Sequence, residues 1–595
     1  MANPTFSATK AFSEAQRLHS TGRLDESETL YRQILAREPT FVPALHYMGV
    51  LAHQRGRQRE ALELVRQALA HSPDEPGILV NLAEIERAAG ELAQAELHAR
   101  LAVELGGELP AAHANLAAVL SAREQWREAA ECVRQQLALD PKNKSAGEML
   151  TRLEQRSAAG AKAPTTAERH AAAREQQALA QELSTRKRRE AARRVLQRVI
   201  ELDPTWAQPQ VDLGVIIHDV DDDLDAAIAC YDRALALEPT FAQAWCNRGI
   251  ALHQAMRLEE SLESFSQALR HAPDHTLVHW NRALVLLQEG RWLEGWPEFE
   301  WRWKLKDRQP IPHERWQGEP LDGRTLLLFP EQGLGDSLQM LRYLPLVGER
   351  WGAGREGRVL FSCPPEFRRL LAAGLPNVEI LFDPSELPAI DLVCPVFSLP
   401  YVLGTQPATV PPPIRLSVAD MPDSQPAQTI RAAEGFKVGI VWAGRPTHPD
   451  DRRRSAKLSA LAPLLDVPGT RFFALQKGPA EAELAAPELA GRITPLGPQF
   501  ADLADTARAL DELDLLIAVD TSVAHLAGCL GKPTWLLVAH CCDWRWLRAG
   551  DDTAWYPTMR VFRQRKRNAW GELAERLRQA LAVEVRAHAA ARQRL

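Results

Sequence analysis

In the first half of the chain apolar residues recur at helical spacing, in amphipathic stretches separated by short polar turns; in the second half they come as brief uninterrupted runs between helical stretches. The helical stretches repeat. Pro39 and Pro73 stand 34 residues apart, and Pro141 lies two further steps on, with Gly107 at the intermediate beat. The beat resumes at Pro204, Pro239 and Pro273, and one extra residue in the stretch HDVDDDLD (218–225) accounts for a single 35-residue step. Other positions keep the same phase. Ten residues after each beat stands a small residue: Gly49, Ala83, Ala117, Gly214, Gly249 and Ala283, with Ala15 in the first repeat. Twelve residues before each beat stands another: Ser27, Ala61, Ala95, Ala129, Ala192, Ala227 and Ser261.

Small residues at fixed slots let two antiparallel helices approach closely, and proline after the second helix stops it. Period, small slots and proline together are the tetratricopeptide pattern, with about eight repeats when imperfect ones are included. The expected architecture is an α-solenoid with a first block over 8–155 and a second over 176–304. The stretch 156–175, rich in Ala, Thr and Gly, reads as a linker or as a poor repeat whose first helix has drifted. The run Arg186-Lys187-Arg188-Arg189 reads as a solvated helix face more readily than as a nucleic-acid patch. Stacked helix pairs make a concave groove lined mainly by first helices. Asn81, Asn115, Asn247 and Asn281, with Asp212 in the same slot, stand eight residues after a beat. An amide offers both donor and acceptor, so such a ladder can hold an extended acceptor peptide; the alternative is that Asn serves only local helix contacts. The second block ends in GRWLEGWPEFEWRWK (290–304). Its aromatics, Trp292, Trp296, Phe299, Trp301 and Trp303, read as the surface that packs the array onto the next domain, with a stacking platform for a ligand as the alternative.

From about Leu321 apolar strands alternate with helices. TLLLF (325–329), RVLFSC (358–363), VEILF (378–382) and DLVCPV (391–396) form one series. After the Pro-rich crossing TVPPPIRL, KVGIVWAG (437–444), RFFALQ (471–476), DLLIAVD (514–520) and PTWLLV (533–538) form a second. Apolar strands with helices between them imply parallel sheets, here two Rossmann-like lobes over 320–418 and 435–580, with ligands at the strand C-termini. Two loops hold such places. In PEQGLGDSLQMLRYLP, Gly333 and Gly335 allow a tight turn and close backbone approach, and Asp336 opens a helix, where capping alone is a sufficient reason for it. In AVDTSVAHLAGCLGKPTWLL, Asp520 ends a buried strand and Thr521 and Ser522 stand at a helix N-terminus, an anion site in waiting. His525 lies one turn on, either at the mouth or as a satisfied buried histidine.

The chain has 595 residues, with 25% charged, 45% apolar and a formal charge of −6, so wholesale binding to nucleic acid or an anionic membrane is not expected. No apolar run is long enough for a spanning helix, and no leader-like apolar segment opens the sequence. The eight cysteines are scattered without metal-ligand spacing, which fits a reducing cytoplasm.

Together the two loops resemble those of the family 9 glycosyltransferases, the group that includes the lipopolysaccharide heptosyltransferases. The resemblance covers about residues 321–580 and rests on Gly333-Leu334-Gly335-Asp336 and on Asp520-Thr521 through His525 to Gly531 and Pro533. CDWRWL (542–547) and WYPTMRVFRQ (555–564) are similar to the tetratricopeptide-linked branch of the group, some of whose members modify flagellin. The resemblance implies a two-lobed GT-B fold and inverting transfer from a nucleotide sugar, with no metal and no other cofactor. It implies Asp336 as the base that takes the acceptor proton. The leaving diphosphate needs positive charge and N–H donors. Candidates are Arg445, Arg453, Arg454, Ser455 and Lys457, with Gln476 and Lys477 at a second strand mouth and Asp520, Thr521, Ser522 and His525 opposite. Ser522 stands where heptosyltransferases favour glycine, and the first lobe is short; both leave the donor open among heptose and other activated sugars, a nonulosonic acid included. The function expected is glycosyl transfer to a protein hydroxyl, with the repeats recruiting the acceptor, flagellin being one candidate. The alternatives are a lipopolysaccharide or glycolipid transferase and a scaffold with a silent catalytic fold.

Overall fold

The computed structural model describes residues 7–159, 165–305, 313–352, 357–383, 385, 387–419, 421–448 and 450–593. The chain divides into two compact units, Met1–Pro239 and Thr240–Leu595.

The first unit is built of helix pairs in the expected phase. Ala8–Ser20 pairs with Leu24–Arg37, Val42–Gln54 with Gln58–His71, Pro76–Ala89 with Leu92–Leu105, and Pro110–Ala122 with Trp126–Leu139. The small slots face each other across each pair. Ser27 Oγ donates to the carbonyl of Ala15 at 2.8 Å, so the slot before the beat meets the slot of its partner helix. At Gly49 a Cβ would lie 2.4 Å from Val65 Cγ2, closer than any real contact, which is why the slot tolerates so little bulk.

The stretch 156–175 is mostly helix. Lys144–Ala159 continues the first block, and Thr166–Thr185 opens the next pair with Arg189–Leu202, capped by Thr165 and Glu168 in reciprocal hydrogen bonds. The described part of the stretch, 156–159 and 165–175, thus carries helix apart from the capping Thr165; residues 160–164 lie outside those described. The basic run is a turn whose arginines are engaged: Arg186 donates to the carbonyl of Pro73, and Arg188 pairs with Asp74 at 2.8 Å. The inserted residue at 218–225 is absorbed by a π-helical turn, Ile217–Asp221, after which Leu224–Leu237 packs back on Ala207–Ile216.

The second unit begins with repeats and ends with sheets. Ala242–Gln254 pairs with Leu258–His271, and Thr276–Gln288 with Trp292–Phe299. Ser261 Oγ donates to the carbonyl of Gly249 at 2.7 Å, repeating the Ser27–Ala15 contact.

Among the described residues eleven strands follow in two sheets: β1 (Glu314–Arg315), β2 (Thr325–Phe329), β3 (Arg358–Ser362), β4 (Glu379–Leu381) and β5 (Leu392–Pro395), then β6 (Phe436–Val441), β7 (Thr470–Ala474), β8 (Ile493–Pro495), β9 (Leu515–Val519), β10 (Thr534–Val538) and β11 (Met559–Arg563). The first sheet runs β1-β5-β2-β3-β4 and the second β11-β10-β9-β6-β7-β8, and every pairing is parallel. Both faces of β9 and β10 are buried, as their unbroken apolar runs require. The long helix Trp570–Arg592 covers one face of the second sheet with Trp570, Leu573, Leu577 and Leu581.

The Trp-rich junction joins the last repeat to these sheets in one apolar core. Trp292, Trp296 and Phe299 are buried in the same cluster as Leu326 and Leu328 of β2, Val441 of β6, and Trp544 and Trp555. Trp296 Nε1 donates to the carbonyl of Thr405 at 2.8 Å. Arg302, fully buried, pairs with Glu331 at 2.7 Å and Glu300 at 2.6 Å. Trp301 instead stacks on His279 at 3.7 Å, with Lys304 over its other face, and Trp303 lies under Arg315.

Candidate functional site

In each sheet the strand order reverses beside one central strand, and an open parallel sheet offers its ligand crevice at the C-terminal ends there. In the first sheet the reversal falls between β2 and β5, so the loop after β2, with Gly333 to Asp336, stands at it. In the second it falls between β6 and β9, flanked by Trp442 to Arg445 and by Asp520 to Ser522.

The two motif loops meet. A Cβ on Gly335 would lie 2.9 Å from His525 Cδ2 and 3.1 Å from Ser522 Cα, so the backbones touch where only hydrogen fits. Asp336 enters the helix Leu334–Met340 as its third residue, and its Oδ2 accepts the N–H of Gly333 at 2.9 Å, the capping bond. Its Oδ1 accepts from Arg545 Nη2 at 2.6 Å. Asp336 therefore caps its own helix and also reaches across to the loop after β10, keeping 26% of its side-chain surface exposed.

Arg545 was not singled out by sequence. It is buried, and its Nη1 donates to Asp543 at 2.7 Å and its Nε to Gln339 at 2.7 Å. Burial works against its charge, but Asp543, Asp336 and Asp520 outweigh burial and raise its pKa further above the usual arginine range. Burial pushes the Asp543 carboxyl up, against the pull of Arg545.

Asp520 ends β9. Its Oδ2 accepts from Trp546 Nε1 at 2.9 Å, and its Oδ1 lies 3.6 Å from His525 Nε2. Burial opposes its charge, yet His525, the Trp546 N–H and Arg545 together hold the carboxyl below its ordinary range. His525 is buried, with Nδ1 3.0 Å from the Tyr556 hydroxyl, and that hydroxyl is pushed well up by burial. Thr521 precedes the helix Ser522–Cys529 with extended backbone, and its hydroxyl oxygen is buried without a hydrogen-bond partner.

Across the reversal of the second sheet, Arg454 lies over the backbone of Gly444, where a Cβ would be 2.6 Å from its Nη2; its Nε is buried without a hydrogen-bond partner. Arg445 and Lys457 are exposed, and Arg453 faces Asp450 at 3.4 Å. Three expected donor contacts have other work. Gln476 accepts from the N–H groups of Trp442 and Ala443 at 3.1 and 3.0 Å and donates to the carbonyls of Ala443 and Lys477, so its buried amide braces the loop after β6. Lys477 donates to the carbonyl of Phe500 at 2.7 Å. Ser455 accepts from Gly444 N–H at 2.8 Å and donates to Asp451 at 2.7 Å.

Asn81, Asp212, Asn247 and Asn281 are locally engaged. In the first unit Asn81 Nδ2 lies 2.7 Å from His46 Nε2, whose pKa burial pulls down to about 4, so the ring is neutral and accepts. Asn115 is buried with its Oδ1 unpartnered, and Asp212, raised by burial, accepts from Gln177 and Gln208. In the second unit Asn247 accepts from Gln243 at 2.9 Å, and Asn281 donates to the carbonyl of Leu277 at 2.8 Å. Among the described residues no cluster of His, Cys, Asp or Glu is placed to hold a metal, and no helix is long and apolar enough to cross a membrane.

Models described as tetratricopeptide repeat match residues 48–111 and 242–275, and one described as TPR repeat matches 222–255. Protein FlbA of Caulobacter vibrioides is 29% identical over 357 residues, which is 54% of this chain; the chain spans 58% of that relative's length. Among solved structures, YrrB, a tetratricopeptide protein with an unusual peptide-binding site, is 19% identical with a TM-score of 0.20, over 36% of this chain and 95% of its own. The first tetratricopeptide domain of Spaghetti (RPAP3), bound to an HSP90 peptide, is 25% identical with a TM-score of 0.19, over 20% of this chain and 93% of its own.

Proposed function

We propose that the second unit is an inverting glycosyltransferase of GT-B architecture, similar to family 9, and that it moves a sugar from a nucleotide sugar to a protein hydroxyl. The observation that carries this reading is the meeting of the two motifs: the Gly333–Asp336 loop touches the Asp520–His525 segment, each at the strand-order reversal of its own parallel sheet. Asp336 then takes the proton of the acceptor hydroxyl, whose oxygen attacks the anomeric carbon from the face opposite the diphosphate. The bond from that carbon to the diphosphate oxygen breaks, and the leaving group departs with the electron pair. Arg454, whose guanidinium lies over the Gly444 backbone beside Asp451, and the helix N-terminus at Thr521 and Ser522 are suited to the charge that develops. Gln476 supports that site by fixing the loop after β6 and is not itself a donor contact. The repeats recruit the acceptor protein, flagellin being one candidate.

The test is a thermal-shift panel of nucleotide sugars on the full chain, followed by mass spectrometry of co-expressed acceptor proteins. Stabilisation by one donor class and a single-sugar mass increment on Ser or Thr are expected. Asp336→Asn should lower turnover at least about 100-fold without loss of donor binding. Full modification by that variant removes Asp336 from the role of base, and absence of binding to every donor favours a scaffold.

A further inference from the structure

We infer that Arg545 is the positioning residue that aims Asp336, and that the last repeat in turn fixes Arg545; this rests on the transferase reading above. Asp336 belongs to the loop after β2 and Arg545 to the loop after β10, so their 2.6 Å ion pair ties one sheet's motif to the other sheet. With Oδ2 on the Gly333 N–H and Oδ1 on Arg545, both carboxylate oxygens are pinned and rotation about the side chain is stopped. Each oxygen keeps a second lone pair, and the exposed part of the side chain leaves room for a hydroxyl to approach.

Arg545 itself cannot wander. Its Nη1, Nη2 and Nε groups each donate, to Asp543, Asp336 and Gln339, and its guanidinium lies over Trp544 at 4.7 Å and Phe397 at 5.1 Å. A buried cation so enclosed has one low-energy orientation, because any other strands a charge out of water.

The backbone that carries Arg545 is held from the repeat side. The Arg545 carbonyl accepts from Trp555 Nε1 at 3.0 Å, and Trp555 stacks on Trp292 at 5.2 Å. Trp544 meets Trp296 edge-on at 5.3 Å. Gln288 grips both flanks: its Nε2 donates to the carbonyl of Cys542 at 2.9 Å, and its own carbonyl accepts the N–H of Arg548 at 3.1 Å. Gln288, Trp292 and Trp296 all belong to the final helix pair, so the end of the array is the seat on which the aiming arginine rests.

The experiment uses the full chain. Arg545→Met keeps the bulk and removes the charge; kcat should fall about 100-fold while KM for the donor changes less than about threefold. Arg545→Ala should regain at least about tenfold in turnover in millimolar guanidinium, which a purely structural loss would not do. Arg545→Lys, which keeps the charge but loses the fork, should lie between. Gln288→Ala should lower kcat in the same direction by a smaller factor. A folded Arg545→Met protein with wild-type kcat overturns the proposal, as does an Arg545→Ala loss that guanidinium leaves untouched. A second readout needs no transfer. The thiol introduced by Asp336→Cys should be alkylated by iodoacetamide at neutral pH about tenfold faster with Arg545 present than in the Arg545→Met background, measured at that site by mass spectrometry. Equal rates overturn the contact. Unequal rates in a chain that transfers no sugar leave the tether standing and remove the transferase reading alone.

Discussion

Gly335 shows how much a single missing side chain decides. Its backbone is outside the left-handed region, so a glycine is needed here for space and not for conformation. The neighbours that a Cβ would strike are the Ser522 backbone, which cannot turn aside, and the His525 ring, which is held by Tyr556. Gly335→Ala should therefore destabilise the protein by about 1–3 kcal/mol, read as a lowered melting temperature, and open the gap between the two loops, read as a raised KM for the donor. A variant with both values unchanged would mean that the loops have slack. Local sequence makes Gly333, Gly335, Asp336, Asp520 and His525 visible, because each stands at a strand mouth beside a turn or a helix start. It does not make Arg545 visible. That residue sits in an aromatic run, and its partner Asp336 lies 209 residues away. The contacts of Gln476 are hidden for the same reason: its position after β7 suggests a ligand, and its amide also holds backbone that only the fold brings near.

At the level of elements, the repeats are legible because a fixed period samples the same contact many times, and each small slot meets its partner directly. The principal strands are legible from their unbroken apolar runs. Three strands are not. β1 has two residues, Glu314 and Arg315, β8 ends in proline, and β11 reads MRVFR with charged residues at both ends of its apolar core. Each is short or borders the sheet, so little apolar sequence marks it. The asparagine slots are legible as a pattern but not in their contacts, since their partners come from the preceding turn or helix pair. His46 gives that contact a pH dependence. Folded, its pKa is about 4; unfolded, it returns to about 6.5. A histidine held neutral contributes stability that is fully present above the unfolded pKa and is lost as pH falls toward the folded one. The first unit should therefore weaken between about pH 6.5 and 4, and His46→Gln should flatten that part of the denaturant midpoint against pH curve. An unchanged slope in the variant would assign the loss to other groups.

On the scale of the whole molecule, the compact units part at Pro239, inside the second repeat block, not where repeats give way to strands. The reason is the shared core: Trp292, Trp296 and Phe299 bury against Trp544 and Trp555, and Arg302 buries its charge against Glu331 just ahead of the Gly333–Asp336 loop. A fragment beginning at Thr240 keeps all of these contacts and should unfold in one cooperative transition. One beginning near residue 310 loses three large aromatics, each worth about 3–5 kcal/mol, and with them the buried Arg302 that pairs with Glu331. It should be insoluble or lack a cooperative melt by circular dichroism; a cooperative melt like that of the longer fragment would show that the repeats are dispensable to the sheets. The junction aromatics were legible as a packing surface, but their depth was not, since no periodicity reports how many elements share a core. The division at Pro239 also fixes where the gene can be rearranged. Recombination upstream of that codon exchanges helix pairs within the first compact unit, whereas a crossover between the junction tryptophans and the strands severs those tryptophans from the sheets that enclose them. Repeat pairs of the first unit can be exchanged as a unit of their own, while the last pair is inherited with the sheets it packs against.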